Sequence, residues 1–328
     1  MSWNTHMMGL SHLNRRIVLR GLLSYFPGCL QLLGKKKRGS KGSGGTTSAR
    51  YCYSVWLRHL VMLQKAGMSA YPNAIGEIGP GDSLGIGIMW LIGGAEKYYA
   101  IDLIEHSSVE RNLAILEELC EIFRTKTPVP GRDEFPLLEP ALDDYSSPVH
   151  FFSEEKIDTL LHRARIINIR RALIDGACEK FSVHYSRPSA AGIPAHALHL
   201  IYSQAVLEHV NDIESLLAST YAWLLPGAYA SHQIDYSAHE ISATWNAHWY
   251  TPSWLWRVLM HGRSYDINRM PHSYFVNAFA EARFEQVLVQ PLMQKSALAD
   301  ACRPDEVPLT KTDRIIRSAH FICRKRAS

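Results

Sequence analysis

Residues 74–87 read Ala-Ile-Gly-Glu-Ile-Gly-Pro-Gly-Asp-Ser-Leu-Gly-Ile-Gly and decide the fold. The stretch predicts a buried strand over 74–78, a sharp turn at Gly79 and Gly81, and a helix over 83–91. A second short apolar run follows and ends beside Asp102. A strand that breaks into a glycine loop and then a helix is typical of a parallel sheet that holds a nucleoside cofactor over its carboxyl edge.

The rest of the chain continues this alternation of strands and helices. It predicts an α/β fold with a Rossmann-like, doubly wound sheet of seven strands and helices on both faces. The sheet is expected to be mostly parallel, with an antiparallel strand near the C-terminus. Beyond residues 74–78, strands are predicted at 98–103, 181–185, 198–202, 228–234, 284–289 and 315–323, and helices at 49–65, 107–123 and 154–173, with one more following an N-cap at Asn211.

Composition shifts divide the chain into an arm and one domain. Residues 1–48 are predicted to form a basic N-terminal arm and a flexible loop, and residues 49–328 a single domain. Within that domain we expect a cap helix at 49–70, a cofactor-binding core at 71–240 with an insertion at 128–180, an aromatic-rich insertion on the acceptor side at 241–283, and terminal strands at 284–328.

Charge is distributed unevenly over the 328 residues. The formal net charge is +4, but no Asp or Glu precedes Glu77, and that first segment contains 11 Lys or Arg residues. The arm, with its run Lys35-Lys36-Lys37-Arg38, is expected to be solvated and to offer a weak contact to an anionic surface.

Three features that the sequence lacks indicate the cellular compartment and argue against a metal. Six cysteines are scattered without a Cys-x-x-Cys pair, which predicts neither a zinc site nor a disulfide framework, and we expect no metal. No stretch reaches the roughly 20 apolar residues that span a bilayer, and a secretory signal is not expected. These features predict a protein of the reduced cytoplasm. The oligomeric state stays open.

The charges around the glycine loop favour a cationic cofactor. Glu77 stands just before the glycines, where a carboxylate suits an α-ammonium group and would repel a pyrophosphate. Asp102 lies roughly 20 residues further on and can accept hydrogen bonds from ribose hydroxyls. A ribose that carries a positively charged amino acid describes S-adenosylmethionine better than NAD. The third glycine, Gly85, also falls one place late for the nicotinamide fingerprint G-x-G-x-x-G.

A second segment carries a family resemblance. Residues 201–212 read Ile-Tyr-Ser-Gln-Ala-Val-Leu-Glu-His-Val-Asn-Asp, and Leu-Leu-Pro-Gly follows at 224–227. Together with the glycine loop, this resembles the class I S-adenosylmethionine-dependent methyltransferases, in particular the small-molecule, type 11-like branch, over about residues 71–236. The resemblance implies that the cofactor is S-adenosylmethionine and that it is bound by Glu77, Gly79, Gly81, Asp82, Asp102, Leu103, Ser203 and Gln204.

In that family an acidic residue often follows the third strand to meet the adenine. Here Tyr185-Ser186-Arg187 stands in its place, so Ser186 or a backbone carbonyl is left for that contact.

Candidate bases follow the fourth and fifth strands of the core. Transfer of a methyl group to an alcohol or phenol needs a group that takes the proton, and the candidates are His209, His232, Asp235 and His239, of which we favour His232, Asp235 and His209. His232 and Asp235 lie together in one strand, while His209 equally suits a structural role. The resemblance implies an O-methyltransferase that acts on a small or medium acceptor such as a saccharide or another metabolite.

Residues 245–257 contain four of the eight tryptophans. They suit either an acceptor-binding wall of aromatic rings or the small core of a helical hairpin.

Two other functions stay open at this point. A nucleic-acid-directed methyltransferase would use the basic arm, although no RNA-binding module is recognisable. An NAD(P)-dependent oxidoreductase would use a related sheet, but Glu77 and the late third glycine count against it.

Overall fold

A computed structural model describes residues 13–25, 45–146, 152–187, 192–261, 263, 266–296, 298 and 309–327. Among these residues, no helix is both long enough and apolar enough to cross a membrane. The helices are α1 (Arg15–Leu23), α2 (Ala49–Lys65), α3 (Gly85–Gly93), α4 (Val109–Arg124), α5 (Glu154–Leu160), α6 (Arg163–Asp175), α7 (Ile213–Trp223), α8 (Ser253–Met260) and α9 (His272–Glu281). The strands are β1 (Ala74–Ile78), β2 (Lys97–Ile101), β3 (Ala177–Cys178), β4 (Phe181–Ser186), β5 (Leu198–Gln204), β6 (Leu224–Asp235), β7 (Phe284–Met293) and β8 (Ile316–Lys325).

The strands form one sheet in the order β3-β4-β2-β1-β5-β6-β8-β7. Strands β4, β2, β1, β5 and β6 pair in parallel, and β8 runs antiparallel between β6 and β7. The order reverses at β1, so a crevice opens at the carboxyl ends of the neighbouring strands. The predicted mixed, doubly wound sheet is confirmed. It has eight strands rather than seven, because the two-residue β3 turns back on β4 as a short antiparallel edge.

Helices cover both faces because alternate strand residues point to opposite sides of the sheet. On one face, Ile75 and Tyr98 pack into a core with helices α2 to α6. On the other, Ile78 and Ile201 pack with α7 and α9. The two layers fix the sheet and leave its carboxyl edge for the loops that carry the site.

Two predicted boundaries differ from the structure. The N-cap of α7 is Asp212 rather than Asn211, because the Asp212 carboxylate accepts the N–H of Ser215 at 3.0 Å and satisfies the helix start one residue later. Pro226 and Gly227, a pair that favours a turn ahead of the strand predicted at 228–234, lie inside β6, where Gly227 has φ +79° and the pairing with β5 shifts register. The glycine absorbs this irregularity within the strand.

Helix α2 fastens the irregular segment 127–146 to the core. Its Arg58 is completely buried and donates to the carbonyls of Pro140 at 2.6 Å and Pro130 at 3.2 Å. Ser54 donates to the Pro130 carbonyl at 2.9 Å. These bonds satisfy carbonyls of a segment that has no regular structure of its own, and they set its position beside the sheet edge.

The aromatic insertion is packed as a core. Trp249 is fully buried, and its indole N–H donates to the Arg269 carbonyl at 2.9 Å. The Arg269 guanidinium lies 5.2 Å from the Trp256 ring centre. Of the four tryptophans at 245–257, only Trp254 is exposed. The hairpin-core interpretation of these rings therefore fits the structure, and an open stacking wall does not.

Helix α1 belongs to this insertion rather than to a detached arm. Leu13 and Ile17 pack into a cluster with residues of α8. A side chain at Gly21 would lie 2.4 Å from the Val258 carbonyl oxygen, so glycine permits the close approach of the two helices. Residues 13–25, which belong to the predicted arm 1–48, thus pack on the aromatic insertion. The basic run at 35–38 lies outside the described residues.

Gly87 tests the packing of α3 on the sheet. A Cβ at this position would lie 2.1 Å from the Tyr98 ring, which is fully buried and cannot move away. Gly87→Ala is expected to lower the free energy of unfolding by about 1–3 kcal/mol, because the overlap outweighs the better helix propensity of alanine. Urea unfolding measures the change. Gly131→Ala is the control, since its Cβ would meet Tyr145 at an ordinary 3.5 Å; equal effects of both variants would contradict the packing described.

Candidate active site

The glycine loop joins β1 to α3 at the centre of the crevice. Gly79 has φ +70° and Gly81 has φ +74°, a backbone conformation that favours glycine. The Gly79 N–H donates to the Ile101 carbonyl at 2.8 Å, which ties the loop to the end of β2. A Cβ at Gly79 would lie 2.6 Å from the Val206 side chain, just beyond β5. The loop thus brings the carboxyl ends of β1, β2 and β5 together.

Asp82 places an unsatisfied carboxylate oxygen in this loop. Its main chain is held from both sides: the N–H donates to Thr46 Oγ1 at 2.9 Å, and the carbonyl accepts from Arg111 at 2.7 Å. Its Oδ2 is buried and has no hydrogen-bond partner within the part of the chain that the structure describes. A buried carboxylate oxygen is costly without a donor, so the position suits a ligand that brings one.

The first N–H groups of α3 are already satisfied by the protein. The Leu84 N–H donates to Asn112 Oδ1 at 2.9 Å, and the Gly85 N–H donates to Ser83 Oγ at 3.1 Å. These are the groups that would otherwise receive a phosphate at a helix N-terminus. Two of the N–H groups at this helix start therefore already have partners within the protein.

Asp102 lies at the end of β2, beside the glycine loop, as predicted. Its Oδ1 accepts the N–H of Leu103 at 2.7 Å, and its own N–H donates to the Ser186 carbonyl at 3.0 Å. Partial burial raises the pKa of its carboxyl above the usual value. Leu103 and Ile104 follow with 70% and 60% of their surface exposed. A carboxylate next to two exposed apolar side chains suits a nucleoside, whose ribose hydroxyls can donate to the carboxylate and whose base can pack on the apolar side chains.

Tyr185 and Ser186 support this loop from β4. The Tyr185 hydroxyl donates to the Ile104 carbonyl at 3.1 Å. The Ser186 carbonyl is taken by the Asp102 N–H, so that carbonyl positions Asp102 rather than facing the crevice. The residues that stand where the family often has an acid therefore hold the Asp102 loop in place.

Glu77 does not reach the surface of the crevice, which corrects the predicted contact with a ligand ammonium. The side chain is only 2% exposed, and the Tyr98 hydroxyl donates to its carboxylate. Burial raises the pKa of Glu77 to about 7, and the Tyr98 hydroxyl opposes that rise. Glu77 instead ties β1 to β2 beneath the loop.

Ser203 and His232 also differ from their predicted roles. Both are completely buried, and Ser203 Oγ lies 2.8 Å from His232 Nδ1 inside the sheet. The His232 ring stacks on Phe279, and burial lowers its pKa to about 3. Ser203 therefore does not line a ligand pocket, and His232 is no base for an acceptor, because neither reaches the solvent-facing edge.

A cavity of about 450 Å³ opens beyond the carboxyl ends of β5 and β6. Gln204, Ala205, Gln233 and Asp235 line its floor. The Gln204 amide donates to the Gln233 side chain at 3.2 Å. Ala205 has φ +53°, an uncommon conformation for a residue with a side chain, and it turns the chain away from β5 at the cavity. The cavity thus adjoins the glycine loop on the side of β5.

The walls of this cavity come from distant segments. Arg132 and Glu139 lie in the irregular segment fastened by α2, and they form an ion pair at 2.9 Å. Arg317 and Ser318 lie near the start of β8. None of these four wall residues was predicted from the sequence. Neither segment contains a recognisable motif, and only the tertiary fold brings the two segments to the end of β5.

Asp235 and His209 lie near this edge, as predicted. Asp235 lines the cavity, and its Oδ1 accepts the Ser237 N–H at 2.9 Å. The half-buried His209 donates from Nδ1 to the Asp266 carbonyl at 2.6 Å, and its ring centre lies 5.2 Å from that of His239. Of the three predicted bases, the structure brings only Asp235 into the lining of the cavity.

Comparison with known proteins finds likeness only among solved structures. No protein-family model matches the chain, and no curated protein does so either. A putative methyltransferase from Bacillus halodurans is 12% identical, with 82% of this chain and 99% of that one covered at a TM-score of 0.39. An S-adenosylmethionine-dependent methyltransferase from Mesorhizobium loti is 16% identical, with 83% and 97% covered at 0.40. A geranyl diphosphate C-methyltransferase from Streptomyces coelicolor is 10% identical, with 82% and 78% covered at 0.41.

These matched structures are methyltransferases, the class that the sequence resembles. At this identity and overlap, the likeness says nothing about what this chain binds or methylates.

The burial of His232 predicts a pH dependence of stability. Its pKa is near 6.5 in the unfolded chain and about 3 in the fold, so the stability present above pH 6.5 is lost as the pH falls towards 3. His232→Gln removes one proton from this linkage. Between pH 6 and 4, the free energy of unfolding of the variant is expected to fall less steeply than that of the parent chain. The two slopes should differ by about 1.4 kcal/mol per pH unit.

Urea unfolding over that pH range measures the slope. His184→Gln serves as the control, because the His184 ring is exposed. A His232→Gln slope equal to that of the parent chain would contradict the buried, neutral histidine.

Proposed function

We propose that the chain is an S-adenosylmethionine-dependent methyltransferase that transfers the methyl group to an oxygen of a small or medium polar acceptor. The buried, unsatisfied Oδ2 of Asp82, in the same crevice as Asp102, is the observation that carries the proposal. Two carboxylates at this edge match a ligand with a cationic amino-acid end and a ribose end. S-adenosylmethionine has both.

The residues present fit that cofactor better than a dinucleotide. The positive φ of Gly79 and Gly81 lets the backbone approach a ligand closely. Asp82 would hold the α-ammonium, Asp102 the ribose hydroxyls, and Leu103 would pack on the adenine. A pyrophosphate would meet the Asp82 carboxylate and a helix start where the N–H groups of Leu84 and Gly85 already have partners. When bound, S-adenosylmethionine supplies an electrophilic methyl group on a sulfonium.

The cavity beyond β5 and β6 is the proposed acceptor site. Its polar side chains, among them Gln204, Gln233 and Arg317, suit a hydroxyl-bearing acceptor such as a saccharide or another polar metabolite. Asp235 is the one predicted base in its lining and would take the proton from an acceptor hydroxyl. The protein otherwise contributes by holding the acceptor in line and excluding water.

The two alternatives stand differently on the described residues. An oxidoreductase would place a pyrophosphate beside the Asp82 carboxylate, which would repel it. A nucleic-acid substrate would draw on the basic run at 35–38, which lies outside the described residues.

Two variants test the two ends of the proposed cofactor. The ligands are S-adenosylhomocysteine and 5′-methylthioadenosine, which keeps the nucleoside and lacks the amino acid. Asp102→Asn should weaken both ligands by about 1–3 kcal/mol, because both contain the ribose. Asp82→Asn should weaken S-adenosylhomocysteine by a similar amount and leave 5′-methylthioadenosine unchanged, because only the first has the ammonium. Isothermal titration calorimetry measures each affinity.

Glu105→Gln is the matched control, since it removes one negative charge from an exposed residue of the Asp102 loop. If Asp82→Asn lowered the affinity for S-adenosylhomocysteine and for 5′-methylthioadenosine equally, the assignment of Asp82 to the α-ammonium group would be overturned. Full affinity of Asp102→Asn for both ligands would overturn the ribose assignment.

A further inference from the structure

A cluster of one carboxylate and two imidazoles lies beside the cavity and is used by none of the steps above. One carboxylate oxygen of Glu208 and one ring nitrogen each of His209 and His239 lie within 4.8 Å of one another. Glu208 and His209 follow β5 in the short 3₁₀ turn Leu207–His209, and His239 begins another such turn after β6. The fold therefore joins two loops at the same edge of the sheet.

The buried carboxylate indicates that the cluster holds a ligand. Glu208 is only 2% exposed, and neither of its carboxylate oxygens has a hydrogen-bond partner in the described part of the chain. The Nε2 atom of His239 is likewise buried without a partner there. Buried polar atoms are almost always satisfied in folded proteins, so two neighbouring side chains with such atoms call for a group that binds them.

The orientation of His209 suits metal ligation. Its Nδ1 contacts the Asp266 carbonyl at 2.6 Å, and since a carbonyl only accepts, Nδ1 carries the proton and the lone pair lies on Nε2. Metal-bound histidines commonly donate their other ring N–H to a carbonyl or carboxylate in this way.

Asn268 fixes the turn that carries Glu208 and His209. Its side-chain amide donates to the carbonyls of Leu207 and Val210, each at 2.8 Å, and its N–H donates to the Glu208 carbonyl at 2.8 Å. Opposite this turn, His239 has φ +47°. The turn that carries Glu208 and His209 is thus held by hydrogen bonds to Asn268, with the three donor atoms within 4.8 Å of one another.

We infer that Glu208, His209 and His239 bind a divalent transition-metal ion at the rim of the cavity. Two imidazoles and one carboxylate favour ions such as Zn²⁺, Fe²⁺, Mn²⁺ or Co²⁺ over Mg²⁺ and Ca²⁺, which prefer oxygen ligands only. Three protein ligands leave coordination positions open. Asp235, which lines the cavity, is close enough to act electrostatically on all three residues.

The open positions would bind an oxygen of the acceptor, a role that rests on the proposed function, whereas metal binding itself does not. The expectation of no metal was based on the cysteine spacing. That spacing does not bear on this cluster, because none of the proposed ligands is a cysteine.

Cobalt titration of the chelator-treated, full-length chain tests the site. Co²⁺ is expected to give visible d–d absorption that saturates at one ion per chain. Glu208→Gln and His239→Gln should each lower the Co²⁺ affinity at least about 10-fold. Glu208→Gln keeps the shape of the carboxyl group and removes its charge, so its melting temperature without metal should not fall. A purely structural Glu208 would show the opposite pattern, with a lower melting temperature and unchanged Co²⁺ affinity.

Glu155→Gln and His184→Gln are the matched controls, because both residues are exposed and outside the cluster. Absence of a saturable Co²⁺ spectrum, or equal Co²⁺ affinity in the cluster and control variants, would overturn the metal site.

Acetohydroxamate, a bidentate oxygen ligand, then tests the open positions. It should change the Co²⁺ spectrum, and an unchanged spectrum would overturn the role in acceptor binding. S-adenosylhomocysteine binding is measured on the same samples. A chain that binds Co²⁺ but not S-adenosylhomocysteine would count against the proposed methyl transfer and leave the metal site standing. A chain that binds S-adenosylhomocysteine but not Co²⁺ would count against the metal site alone.

Discussion

The close contact between Gly79 and Val206 is the constraint on which the crevice depends. A methyl-sized group at Gly79 has no room, since its Cβ would lie 2.6 Å from the Val206 side chain. Only a residue without a Cβ lets β1 turn here with φ +70° while the loop after β5 packs against it. The same residue bonds to the end of β2 through Ile101. Three strand ends therefore meet at one backbone position, and both the cofactor loop and the cavity floor take their places from it.

The polar groups around this turn are divided between those that build the loop and those left for a ligand. Glu77 is buried against the Tyr98 hydroxyl, and Asn112 and Ser83 accept the N–H groups of Leu84 and Gly85 at the start of α3. Asp82 keeps a buried oxygen without a partner in the described chain. We therefore propose Asp82, rather than Glu77, as the carboxylate that would face a cationic ligand, because it lies in the loop itself rather than in the strand beneath it.

Local pattern was enough to predict much of the fold. The helix at 49–65 and the strand at 74–78 were predicted with the bounds that the structure shows, because apolar periodicity, a serine N-cap and flanking glycines all agree there. Gly79, Asp82 and Asp102 could be placed at the crevice for the same reason, since they belong to one strand-loop-helix-strand unit. The burial of His232 could not be predicted, because β6 is covered on both faces and alternation there does not distinguish an edge from a core.

Sites built from distant segments stayed hidden for a different reason. Arg132 reaches the cavity only because the buried Arg58 holds an irregular segment against α2. Glu208 meets His239 only because β5 and β6 are neighbours in the sheet. Neither pairing has a spacing in the sequence that indicates contact. Composition likewise does not show that residues 13–25 pack on α8, because their apolar face is short and their charges are typical of a solvated segment.

Calorimetric titration of the purified chain with S-adenosylhomocysteine and, separately, with NADH tests most directly whether this crevice selects a cationic nucleoside. Saturable binding of S-adenosylhomocysteine at one site, with no detectable heat from NADH, is the result we predict. Binding of NADH by a chain that does not bind S-adenosylhomocysteine would contradict it.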